Sequence, residues 1–174
     1  AGVISVDSPV SGTLTSSEEV TISIFNYGEN EISNFDVSFQ VDGGSVVTET
    51  FSGTIPAAET EQFTFASTVV MSSVGTTYSI TSYTSLTDDE NADNDSFTTD
   101  VTHLNANDLG VSEISTPTSG TGLSSSEQVT VIITNYGGAS QSNFDISLDI
   151  DGTLYTETVA GPIQPNSSLE YTFS

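Results

Sequence analysis

The segment SNFDVSFQVDG at residues 33–43 returns as SNFDISLDIDG at residues 142–152, and this repetition constrains the fold more than any other feature. LTSSEEVTISIFNYG at 14–28 likewise reappears as LSSSEQVTVIITNYG at 123–137, TETFSGTI at 48–55 as TETVAGPI at 156–163, and FTF at 63–65 as YTF at 171–173. The offset holds at 108 or 109 residues, so the repeating unit is a whole domain rather than the short unit of a solenoid. One complete repeat spans 1–107, and residues 108–174 form an incomplete second one without a counterpart of 67–107. The expectation is an excerpt from a longer tandem array; a strand lent by a neighbouring subunit is the other way to complete the second domain.

Within each repeat the apolar period is two. Phe35, Val37, Phe39 and Val41 alternate with Asp36, Ser38 and Gln40, and Val20, Ile22 and Ile24 alternate with Thr21 and Ser23. Further strands are expected at 2–6, 46–51, 60–66, 77–86 and 96–102, separated by turn-rich NYGEN, DGG and GTIPAA. Seven short alternating strands in about 105 residues predict an all-β fold: tandem immunoglobulin-like Greek-key β-sandwiches. Phe35, Phe39, Phe63, Phe65, Tyr78 and Phe97 are expected as the large core residues of the first. SSEE is the sole candidate for a helical turn. At a 3.3 Å rise per strand residue, each repeat should add about 35 to 45 Å to an array.

Composition narrows the setting. The chain has 24 Asp and Glu and no Lys or Arg, a formal charge of -24, where an average domain of this length carries about 20 basic residues. It repels nucleic-acid phosphates and anionic lipid head groups, which disfavours both as partners. It offers no cleavage site to trypsin-type proteases, and 55 of its 174 residues are Ser or Thr, as expected of an extracellular or cell-surface protein. No Cys is present, so disulfides and thiol chemistry are excluded. No apolar run approaches the ~20 residues of a membrane-spanning helix, so membrane insertion by that route is not expected.

The stretches SGTLTSSEEVTISIFNYGENEISNFDVSFQVDGGSVVTETFSGTIPAAETEQFTF and VGTTYSITSYTSLTDDENADNDS resemble CARDB-type repeats, the cell-adhesion-related domains of bacteria. The N-Y-G loop, the F-D-V strand, the D-G hairpin and the D-x-x-x-x-N-D turn carry the likeness, which covers nearly the whole chain. It is nearest in character to the tandem repeats of large secreted surface proteins of Bacteroidetes-like bacteria. The complete absence of Lys departs from such repeats. The resemblance implies a spacer or adhesive module outside the cell, acting as a stalk, adhesin or filament, whose partners are neighbouring repeats of its own chain or filament.

Candidate sites are few. His103 is the only His and is read as a linker residue; with no Cys, Lys or Arg, no nucleophile–base pair can be assembled, so no catalytic residue is named and an enzyme is not expected. TDDENADNDS at 87–96 groups Asp88, Asp89, Glu90, Asp93 and Asp95 in the hairpin between the last two strands. Hard carboxylate oxygens suit calcium, the only cofactor the chain suggests. The other reading is a solvated turn with Asn94 or Asp95 bonding local amides, and it stands as the default. Asn105, Asn107 and Asp108 at the junction are read as a plain linker, with an inter-domain cation as the alternative. Asn94 and Asn166 fit the N-x-Ser/Thr glycosylation sequon. Tyr27, Tyr83 and Tyr136 are the only platforms on which a surface polysaccharide could stack, since the chain has no Trp.

Overall fold

A computed structural model describes all residues from Ala1 to Ser174. It contains twelve β-strands and no α-helix, arranged in antiparallel sheets. The chain divides into two compact units, Ala1–His103 and Leu104–Ser174.

Unit 1 contains β1 (Gly2–Ser8), β2 (Glu18–Phe25), β3 (Ile32–Val41), β4 (Val47–Ile55), β5 (Thr60–Val69), β6 (Thr77–Ser85) and β7 (Ser96–Thr102). One sheet runs β1-β2-β5 and the other β4-β3-β6-β7. The two-residue period translates directly into facing. Val20, Ile22 and Ile24 of β2 are fully buried, and they meet Phe35, Val37 and Phe39 of β3 between the sheets. At about 1.5–3 kcal/mol for each fully buried large apolar side chain, these six positions drive the pairing of the sheets. Phe39 packs edge-on against Phe65, and Phe63 edge-on against both Phe51 and Phe65. A second cluster, with Leu14, Met71, Ile80 and Val101, fills the other end of the sandwich.

Three expectations need correction. Phe97 faces inward, since it pairs with buried Ser82, but β7 is the edge strand and leaves the ring 37% exposed. Phe63 is only partly buried. His103 is no linker residue: it continues the inward parity of Val101, is 7% exposed, and its Nδ1 lies 2.9 Å from the Met71 carbonyl. Its backbone is held on both sides, by Thr76 O and by Gly75 N.

Unit 2 contains β8 (Leu109–Thr116), β9 (Thr130–Asn135), β10 (Phe144–Ile150), β11 (Thr153–Val159) and β12 (Ser168–Thr172). β12-β9-β8 reproduces β5-β2-β1, and β10-β11 reproduces β3-β4. Asp151 and Gly152, both at positive φ, form the two-residue turn between β10 and β11, the geometry a tight hairpin requires. β10 pairs on one edge only, whereas β3 pairs with both β4 and β6. Val131, Ile133, Ile146, Val159, Ile163 and Phe173 make its core.

The SSEE segment forms no helical turn. The Thr15 amide donates to Glu18 Oε1 and the Ser17 amide to Thr15 Oγ1, and Ser124, Glu127 and Ser126 repeat the arrangement in unit 2. A second device also repeats. Glu49 on β4 reaches across to the opposite sheet, where its carboxylate accepts the amides of Ala66 and Ser67 at 3.0 and 3.1 Å. Its counterpart Glu157 accepts the Ser174 amide at 2.8 Å and the Tyr171 hydroxyl at 2.6 Å. Each unit is thus clipped between its sheets by one carboxylate.

Candidate functional site

Asn26 closes β2 and is 1% exposed, a polar side chain that burial would penalise unless its bonds were made. They are made. Nδ2 donates to Asn30 O, Ile55 O and Pro56 O at 2.8, 3.0 and 3.2 Å, and Oδ1 accepts the Gly28 amide at 2.9 Å. Asn135 repeats this in unit 2 with Ala139 O, Ile163 O and the Gly137 amide. The Asn of each N-Y-G loop is therefore the pin that fixes it. The repeated Tyr next to it drew notice in the sequence; the repeated Asn was the better signal.

The N-Y-G loop of unit 1 forms one wall of a groove of about 660 Å³, and the acidic run forms the other. The acidic run is built as a turn. Asp88 takes a positive φ of 63°, and Asp89 Oδ1 accepts the Asn91 amide at 3.0 Å. Asn91 Oδ1 then caps a single 3-10 turn, Ala92–Asn94, by accepting from the Asp93 amide. The carbonyl of Asp95 accepts from the amides of Thr84 and Val3, tying the turn to β6 and β1.

The five acids do not converge. Asp88, Glu90 and Asp93 are exposed, and no group of three or more His, Cys, Asp or Glu comes together in a way that could hold a metal. Asp89 is ion-paired with the amino group of Ala1 at 2.6 Å. That hydrogen bond, with the Asn91 amide and the positive charge, holds the Asp89 carboxyl below the usual range. Asp95 goes the other way: burial, then the neighbouring charge of Asp89, pushes its carboxyl up. Asp95 Oδ1 and Asn94 Oδ1 are enclosed and have no hydrogen-bond partner.

The other candidates lie apart. His103 bonds a backbone carbonyl at the far end of the sandwich and lines no part of the groove. Tyr27 is about half exposed, but its ring lies over Gly2, whose Cβ would meet it at 3.3 Å, and packs edge-on against Phe25. Tyr136 covers Gly110 in the same way. Tyr83 sits mid-sheet on β6, outside the groove. Of the two sequons, Asn166 lies exposed in a turn, whereas the side-chain oxygen of Asn94 is enclosed.

The junction residues bond within the compact unit Leu104–Ser174. Asp108 O accepts the amides of Tyr136 and Gly137 at 2.8 and 3.1 Å, Asn105 O accepts Gly138, and Ala106 O accepts Ala139. Asn107 Oδ1 accepts Gln141 Nε2 at 2.8 Å. In unit 2 a smaller recess of about 170 Å³ is lined by Leu148, Ile150, Tyr155 and Phe173.

A family model described as CARDB matches residues 106–174. No curated protein matches the chain. Among solved structures, the crystal structure of red sea bream transglutaminase aligns with a TM-score of 0.40 at 10% identity, over 95% of this chain and 25% of that one. The chain thus spans about a quarter of that structure's length.

Proposed function

Since residues 106–174 are a CARDB-type immunoglobulin-like module, we propose that the chain is a non-catalytic, extracellular structural and adhesive segment, a part of a tandem array on a cell-surface stalk, adhesin or filament. The observation that carries this reading is the duplication itself. Two units share the same strand order, the same Asn pin and the same carboxylate clip. Selection has repeated what holds the fold together, as expected where reach and resilience are the function.

The charge supports the setting. A surface of net -24 without Lys or Arg resists trypsin-type proteolysis and self-association, and a saline exterior screens its self-repulsion. An antibody raised against the chain should label intact producing cells. Labelling only after permeabilisation would overturn the extracellular assignment.

A second reading is a filament subunit that exchanges strands, with the edge of β10 that carries no neighbour as the place where another chain's strand would pair. A polysaccharide-binding module is supported less well, because Tyr27 and Tyr136 have structural work over Gly2 and Gly110.

A further inference from the structure

We infer that Glu49 guards the free edge of β5, and that with its carboxylate gone this edge receives the same strand of a second copy of the chain. One side of unit 1 is bounded by two edge strands, β5, which pairs only with β2, and β4, which pairs only with β3. Such edges offer unpaired backbone groups to another strand, and β5 carries no proline to block one.

The β2–β5 ladder breaks near the end of β5. Glu19 lies opposite Thr68 and Thr21 opposite Thr64, so residues 65–67 of β5 face the single residue Val20. This bulge leaves the amides of Ala66 and Ser67 outside the ladder, where both residues are exposed. Each finds its acceptor in Glu49, Ala66 at Oε2 and Ser67 at Oε1. The two oxygens take the place that carbonyls of an added strand would fill.

The placement of Glu49 is the second, independent observation. Val47, Glu49 and Phe51 lie opposite Phe39, Val37 and Phe35, and those three β3 residues are all buried. Directly opposed residues share a face, so Glu49 points inward between two apolar neighbours of its own strand. Alternation calls for an apolar side chain there. A charge facing inward on an edge strand is one of the ways a sheet resists edge-to-edge pairing. Unit 2 repeats the device: Glu157 lies opposite buried Ile146 on the edge strand β11 and accepts the Ser174 amide at 2.8 Å.

The occupant follows from the same geometry. The amides of Ala66 and Ser67, once released, need carbonyls held in extended backbone, and every copy of the chain carries such a strand at the identical edge. Two β5 strands can therefore pair about a two-fold axis, each supplying what the other lacks. The net charge of -24 opposes this in dilute buffer, and about 1 M salt, with a screening length of ~3 Å, removes that obstacle.

This goes beyond an array of adhesive repeats and does not depend on it, because it concerns the folded chain in solution. The test compares the whole native chain with Glu49→Thr and Glu49→Val in about 1 M salt. Both replacements suit a strand and neither reaches β5, and Thr removes the clip without adding an apolar side chain. Sedimentation velocity over a dilution series should show each variant moving, as concentration rises, toward about twice the mass of the native chain. The Ala66 and Ser67 amides should exchange faster than in the native chain when dilute, and regain protection when concentrated. Asn26→Ala, which weakens unit 1 without touching the clip, should keep the native mass at every concentration. Native mass throughout in either Glu49 variant overturns the proposal. Association that leaves Ala66 and Ser67 unprotected does so too, because the pairing would then lie elsewhere. So does equal association of Asn26→Ala, since lowered stability alone would then account for the result.

Discussion

Asn26→Ala is the perturbation that most directly asks what holds unit 1 together at the candidate site. The side chain makes four contacts within 3.2 Å, three from Nδ2 and one to Oδ1. Two N–H groups serve three carbonyls, so the array is worth about three full bonds. A net bond contributes roughly 1 kcal/mol, and a buried group left without a partner costs about 1–3 kcal/mol. The Ile55 carbonyl is bonded in a buried position, while Asn30 O and Pro56 O lie where water can reach once the side chain is gone. The expected loss is therefore about 3 kcal/mol, near the low end of what three orphaned partners could cost. For a unit of this size that lowers the melting temperature by roughly 10–20 °C. The assay is thermal unfolding followed by far-ultraviolet circular dichroism, with amide exchange at Gly28 as the local probe. Asn135→Ala should do the same to the unit 2 transition, because its bonds are the same in kind. A shift below about 3 °C in both variants would refute the reasoning, since neither loop would then depend on its buried amide.

Two further outcomes follow from the carboxylates. Burial raises the Glu49 carboxyl, but the hydrogen bonds from the Ala66 and Ser67 backbone outweigh it and hold it below the usual glutamate range. A carboxylate depressed in the folded state stabilises above its unfolded pKa, and that stability is lost as pH falls through the folded value. Glu49→Ala should therefore cost about 1 kcal/mol at pH 7, discounted for the half-exposed site, and the difference from the native chain should close below about pH 4 in parallel melts. The acidic run gives a calcium test. A calcium ion held there at 100 times its Kd would add about 2.7 kcal/mol, on the order of 10 °C. The turn geometry instead predicts coincident melts in chelator and in millimolar calcium at constant ionic strength, and a clear rise with calcium would reverse that reading.

The fold was legible where parity alone decides burial. Val20, Ile22, Ile24, Phe35, Val37 and Phe39 sit inward as alternation demands, because these strands are central and the opposite sheet covers their full length. Parity did less well at the edges. Phe97 has the right parity but the wrong strand, and edge position is a property of topology that no local pattern encodes. His103 shows the reverse error. It extends the inward series of β7 through Val101, so the alternation pointed to burial, but proximity to a presumed junction argued for a linker. The site residues were hidden for a different reason. The acid-rich segment invited a reading by charge, yet what organises it is short-range bonding by Asp89 and Asn91 to nearby amides.

The polar residues that matter most, Asn26 and Glu49, are unremarkable by type and were identifiable only by recurrence. In a chain with 55 Ser and Thr residues and 24 acids, most polar positions are solvated and free to vary. A polar residue kept at the same place in two diverged units has to be satisfied by something the fold supplies. That criterion selects Asn26 with Asn135, Glu49 with Glu157, and Gly28 with Gly137. For the first two pairs the partner is found inside each unit. For the glycines it is found in unit 2 alone, where the carbonyls of 105–108 press against Gly137. Two pairs therefore account for how each sandwich stays closed, and in unit 2 the third lets the backbone of 105–108 close over the loop that the first pair pins.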